Sequence, residues 1–207
     1  MDFSNNEDDV RFLTDDEINR FYGNGQSVYR LGYAFILILN TGIRLGEALA
    51  LRTRGDVDLK NKRMIIDSSM SFVKNRKAAR DENKYTFVEV LPKTKTSKCS
   101  LPLNNAALDA AKKLLELNSK HKFLLSNSCG NFTEPRNLAR TLKCILKKAG
   151  IAGCGIHTLR HTYASALFRK GEDVKIISTL LGHVSAEITQ DTYIHLLDEQ
   201  TNSVATN

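Results

Sequence analysis

His157-Thr158-Leu159-Arg160-His161 opens the stretch on which the rest of the chain depends; Leu181-Gly182-His183 and then Asp191-Thr192-Tyr193 follow it. The polar members fall at loop and helix-end positions rather than along one apolar face. Together they suit the chemistry of a phosphodiester. Arginine clamps a phosphate with a planar fork of donors. Histidine moves or holds a proton near neutral pH. A tyrosine oxygen can attack phosphorus and carry it covalently. The surrounding pattern is helical. Gly150, Gly153 and Gly155 break the chain before His157. A helix over 158–170 buries Leu159, Tyr163, Ala166 and Leu167, and Gly171 ends it. Asp173 caps the next helix, with Val174, Ile177 and Leu181 inward and Gly182 as the stop. Ser185 caps a last helix that carries Tyr193.

Upstream, Thr14-Asp15-Asp16-Glu17 is a capping box that starts a short helix ended by Gly23 and Gly25. Val28, Leu31, Phe35 and Ile38 recur at helical spacing among other apolar residues, so 28–40 predicts a central buried helix. In Thr41-Gly42-Ile43-Arg44-Leu45-Gly46-Glu47, Gly42 allows a tight turn and Arg44 opens the following helix. Arg44 can then point into a cleft while Leu45, Ala48 and Leu49 pack behind it, and Glu47, one turn on, can orient it. Segments 63–67, 85–90 and 99–103 read as strands. A polar, basic insertion fills 74–84, and Lys93-Thr94-Lys95-Thr96-Ser97-Lys98 makes a turn. Asn104 is placed to cap a helix over 106–118. Phe123-Leu124-Leu125 adds a strand or joins the core, and 127–131 is a turn. Thr133 and Pro135 start a helix that runs to Lys148. The expected fold class is therefore α+β, mostly helical with one small antiparallel sheet.

Composition narrows the function classes. A chain of 207 residues with 42% apolar and 26% charged residues can bury a proper core. Its net charge of +7 favours a polyanionic partner. Between Lys60 and Lys98 eleven Lys and Arg face four Asp and Glu, a surplus equal to the whole net charge. Spread over hairpins, that block is better placed to touch phosphates than a tail would be. Cys99, Cys129, Cys144 and Cys154 form no CxxC pair and nothing resembles a secretory leader, so reduced thiols and a cytoplasmic location are expected. The longest apolar run, Ala34 to Leu39, is far too short to span a bilayer.

Taken singly, each candidate residue has an ordinary structural explanation. Arg44 and Glu47 suit a surface ion pair, His157 and Arg160 a satisfied polar pair, His183 a helix C-cap and Tyr193 plain packing. A helical His157-x-x-x-His161 pair can hold zinc, but the acid of HExxH is missing and no third ligand is evident, so no metal and no cofactor is expected. The joint order, an arginine, a basic hairpin lysine, His-x-x-Arg, a histidine and a tyrosine, is what changes the odds.

In that order the chain resembles the catalytic domain of tyrosine recombinases, the phage integrase family, over roughly Phe12 to Leu197. Residues 41–47 look like the family's first arginine box, and 157–161 like its His-x-x-Arg box. Leu181-Gly182-His183 resembles its next histidine, and Tyr193 falls where its nucleophile stands. Lys93-Thr94-Lys95-Thr96-Ser97 resembles its hairpin lysine segment, with Lys95 preferred and Lys93 the alternative. Pro92-Lys93-Thr94-Lys95 and Gly182-His183-Val184-Ser185 look most like integrases of phages and conjugative transposons of Gram-positive bacteria. The resemblance implies catalytic roles for Arg44, Lys95, His157, Arg160, His183 and Tyr193, with Glu47 holding Arg44.

It further implies double-stranded DNA as substrate, cut and rejoined at attachment sites through a 3′-phosphotyrosyl intermediate and a Holliday junction. Four copies would assemble on two duplexes, with a monomer when free, and DNA-bending proteins can assist. The expected organisation is a disordered segment over 1–10, the catalytic domain over 11–197 and a tail over 198–207. Family members generally carry a helical DNA-binding domain ahead of the catalytic one; with only 1–10 before the first helix, a catalytic fragment is expected. The rival readings are a type IB topoisomerase-like enzyme and a non-catalytic DNA-binding regulator.

Overall fold

A reciprocal exchange at Thr14 starts the first helix: its N–H donates to Glu17 Oε2 at 2.9 Å, and the Glu17 N–H donates to Thr14 Oγ1 at 3.3 Å. The computed structural model describes residues 11–25, 30–74, 85–91, 99–182 and 189. In chain order they form α1 (Asp15–Gly25), α2 (Gly32–Thr41), α3 (Leu45–Ala50), β1 (Val57–Asp58), β2 (Arg63–Ile66), β3 (Ser69–Lys74), β4 (Tyr85–Val90), β5 (Cys99–Pro102), α4 (Asn105–Asn118), α5 (Pro135–Lys148), α6 (Ile156–Arg169) and α7 (Val174–Leu181).

The centre is α2. Ala34, Phe35, Leu37 and Ile38 are fully buried, and α1, α3, α4, α5 and α6 all pack on this helix. A helix apolar on every side is stable only when covered all round. Each large side chain buried here is worth about 1.5–3 kcal/mol in transfer free energy. The helix begins at Gly32, and Leu31 stands just outside it in a turn; Val28, where the periodicity began, lies outside the described residues. It ends where Gly42 adopts φ +65° and returns its N–H to Ile38 O at 2.8 Å.

Among the described residues the strands form two sheets rather than the single one expected. One is β1-β2-β5 and the other is the β3-β4 pair, all antiparallel. The β3 strand was not legible because Ser69-Met70-Ser71-Phe72-Val73-Lys74 mixes polar and apolar residues beside the basic insertion. It is held from behind by α3: a Cβ on Gly46 would stand 2.7 Å from Met70 O, so only glycine lets helix and strand approach this closely.

Asp56 and Asp67 tie the first sheet to the end of α3. Arg52 donates to Asp56 through both its backbone N–H (2.8 Å) and its guanidinium (2.7 Å), and to Asp67 at 2.6 Å. The paired carboxylates hold the Arg52 pKa well above its ordinary value. Asn104 caps α4 as expected, accepting from the Ala107 N–H at 2.8 Å. Leu124 and Leu125 join the core, and Phe123 bridges to Arg52. In α6 the buried set is Thr158, Leu159, Arg160, Thr162, Ala164, Ser165 and Phe168, while Tyr163, Ala166 and Leu167 are only half-buried; the expected stripe was rotated by part of a turn. No described helix is long and apolar enough to cross a membrane.

Candidate active site

Arg44 and Arg160 lie 116 positions apart in the chain, yet the fold brings them to one place. Arg44 is the N-cap of α3, in extended conformation just beyond the Gly42 turn. Its Nη2 donates to Gly182 O at 2.8 Å. Arg160 lies in the second turn of α6 and is 9% exposed. Its Nη2 donates to Leu181 O at 2.7 Å and its Nη1 to Gly42 O at 2.5 Å. The two guanidiniums therefore hold the carbonyls of consecutive residues.

Those carbonyls belong to helix ends. Gly42 closes α2, and Leu181-Gly182 closes α7, where Gly182 takes φ +63°. A helix C-terminus carries a partial negative charge, which attracts a guanidinium. A neutral carbonyl fixes that group without cancelling its unit charge. The arrangement thus gathers two guanidiniums at the same helix ends, Arg160 held by carbonyls and Arg44 by a carbonyl and the Glu47 carboxylate, and such charge suits the binding of a phosphoryl oxygen.

Glu47 does what its spacing suggested. Its Oε2 accepts from the Arg44 N–H at 2.8 Å and its Oε1 from Arg44 Nη1 at 3.0 Å. One carboxylate thus caps α3 and orients the arginine. His157 occupies the first turn of α6, exposed, one turn before Arg160. His161 is half-buried; burial, with the charges of His157 and Arg160, pushes its pKa below the ordinary histidine value, so the neutral ring is favoured. Lys93, Lys95, His183 and Tyr193 lie outside the described residues. Among the described residues no three His, Cys, Asp or Glu side chains group as metal ligands.

The contributors that sequence reading passed over are main-chain atoms. Gly42 O, Leu181 O and Gly182 O hold both arginines, and only the two glycines hinted at them. Gly42 also admits a close neighbour: a Cβ there would meet Tyr163 Cδ1 at 2.4 Å and Leu181 Cδ2 at 3.1 Å.

Comparison with known proteins shows what the chain is similar to. The family model described as the phage integrase family matches residues 11–200. A tyrosine recombinase XerC-like protein of Caldanaerobacter subterraneus subsp. tengcongensis is 31% identical over 97% of this chain and 54% of its own length. The chain thus spans about half the length of such relatives. Among solved structures, the Tn1549 transposon integrase in complex with a circular intermediate DNA superposes with a TM-score of 0.77 at 18% identity, over 97% of this chain and 68% of that one. XerA recombinase superposes at 0.72 and 22% identity, over 93% and 63%. At such identities the likeness speaks for the fold.

Proposed function

Because the chain belongs to the phage integrase family, we propose that it is the catalytic domain, over 11–197, of a site-specific DNA recombinase that cuts and rejoins duplex DNA without a cofactor. The observation that carries this reading is the convergence of Arg44 and Arg160 on the carbonyls of Leu181 and Gly182.

A phosphodiester repels nucleophiles because its non-bridging oxygens share a negative charge. Arg44 and Arg160 offset that charge and the further charge of the transition state. Tyr193 Oη attacks phosphorus in line. The bond to the 5′ oxygen breaks, and a 3′-phosphotyrosyl link replaces it. Lys95, or Lys93 in its place, gives a proton to the departing 5′ oxygen. His157 accepts the tyrosine proton or binds the phosphate, and His183 donates to a phosphoryl oxygen. Glu47 keeps Arg44 aimed. The covalent link conserves the free energy of the broken bond, so a 5′ hydroxyl from another strand reverses the step without ATP. Two guanidiniums do here the electrostatic work for which other phosphoryl-transfer sites use Mg²⁺.

On this reading the substrate is double-stranded DNA at the attachment sites of a mobile element, handled in the cytoplasm by four copies of the whole protein through a Holliday junction. Binding draws on the basic block between Lys60 and Lys98. The decisive experiment is Tyr193→Phe on a nicked suicide duplex. The covalent adduct should vanish while duplex binding changes by less than about two-fold. An adduct that survives in Tyr193→Phe removes the tyrosine from the mechanism. Arg44→Ala and Arg160→Ala should each slow cleavage by about 10²-fold or more, and wild-type rates in either would remove that arginine from the site.

A further inference from the structure

Tyr163 stands one turn beyond Arg160 on the same side of α6. Its ring abuts the Gly42 turn so closely that a methyl group on Gly42 would lie 2.4 Å from Tyr163 Cδ1 and 3.1 Å from Cε1. Leu181 reaches the same point, 3.1 Å from the position of that methyl group. The carbonyls of Gly42 and Leu181 both accept from Arg160. One aromatic ring therefore lies against the end of α2 at the place where α7 also ends, beside two residues whose carbonyls hold a single guanidinium.

We propose that Tyr163 is a positioning residue for the phosphate-binding arginines, acting through the Gly42 and Leu181 carbonyls rather than by touching DNA. This rests on the recombinase reading for its consequence, and on the packing of α2, α6 and α7 for its cause. The working part is the ring edge that carries Cδ1 and Cε1. It fills the space that glycine leaves at residue 42, so the turn cannot relax toward α6. Burial, with some contribution from Glu172, pushes the Tyr163 phenol pKa upward, so it stays protonated and uncharged. The mechanism gives that phenol no proton to move.

Replacing the ring by a smaller apolar group opens room beside Gly42 and lets both carbonyls drift. Arg160 then loses its aim while its charge stays. A displacement of about 1 Å in a phosphate-binding group costs on the order of 10²-fold in rate. The predicted pattern is Tyr163→Phe like the parent and Tyr163→Leu slower in single-turnover cleavage by about ten- to a hundred-fold, with duplex affinity unchanged. A readout that simple destabilisation does not move is the charge of the substrate. A duplex with a neutral methylphosphonate at the scissile position demands less of the arginines, so the Tyr163→Leu defect should shrink several-fold on it. Equal slowing on both duplexes, or parent-like cleavage of the ordinary one, would overturn the proposal.

The Nε–Hε resonance of Arg160 gives a second reading that requires no catalysis. It should keep its position and slow exchange in Tyr163→Phe and lose both in Tyr163→Leu, with thermal midpoints recorded alongside. A Tyr163→Leu protein that keeps the parent's Arg160 resonance sinks the positioning role, whatever the chain does to DNA. A parent protein that forms no adduct with either duplex, but shows the expected change in that resonance, sinks the recombinase reading and leaves the positioning role standing.

Discussion

At the scale of single residues, the site is built by two glycines as much as by two arginines. Gly182 takes φ +63°, and a Cβ there would approach Arg44 Nη1 to 3.3 Å. Gly182→Ala therefore does two separable things. The left-handed backbone costs about 1–2 kcal/mol, readable as a shift in the urea midpoint. The methyl group also pushes the end of Arg44 away from the carbonyl that holds it. Cleavage should fall by about ten-fold or more, beyond anything that loss of folded protein explains, since a domain losing so little remains almost wholly folded. A variant that loses stability but cleaves at the parent rate would show that the Arg44–Gly182 bond is incidental. Glu47 and Arg44 illustrate the same separation. Arg44 is 45% exposed on its side chain, so their pair adds little to stability, and its value lies in the direction it gives the guanidinium.

At the scale of elements, capping was the most legible part. Thr14 with Glu17, Asn104 and Asp173 each satisfy free helix N–H groups, as their side chains and spacing indicated. These contacts span three residues or fewer, so the information is local. The sheets were less legible. The β2 strand pairs with β5 across more than thirty residues, while β3 turns away to pair with β4, and no residue type announces that division. The link between α3 and the first sheet was hidden for the same reason. Asp56 is 2% exposed and binds both the backbone and the guanidinium of Arg52, which also reaches Asp67. Asp56→Ala leaves a part-buried N–H without its acceptor and half of an ion-pair network unpaired. It should cost about 3 kcal/mol, measured by chemical denaturation, although Asp56 touches neither Arg44 nor Arg160. A loss below about 1 kcal/mol would mean the network behaves like a surface pair.

For the molecule as a whole, charge is the property that reaches furthest. The net +7 resides in the segment from Lys60 to Lys98, while the arginine pair sits at the ends of α2 and α7. On the proposed function, duplex binding and phosphate activation should therefore respond to different substitutions. Arg76→Ala, Lys77→Ala and Arg80→Ala should each lower the slope of log affinity against log salt by about one, with the cleavage rate of saturated enzyme unchanged. Arg160→Ala should do the reverse. Unchanged slopes in all three basic variants would place the DNA-binding charge elsewhere.

The amino-acid sequence alone determined what is local or ordered along the chain: the caps, the apolar core helix, the basic block, and the succession of arginine, His-x-x-Arg, histidine and tyrosine. Periodicity and capping work over one or two turns, and motif order survives without coordinates. Only the tertiary structure decided that Arg44 and Arg160 share one pair of neighbouring carbonyls, that Gly42 admits Tyr163, and that the strands divide into two sheets. Main-chain oxygens are the same at every residue, so no letter marks which of them will hold an arginine. That choice is made when α2, α6 and α7 pack, and by nothing nearer to hand.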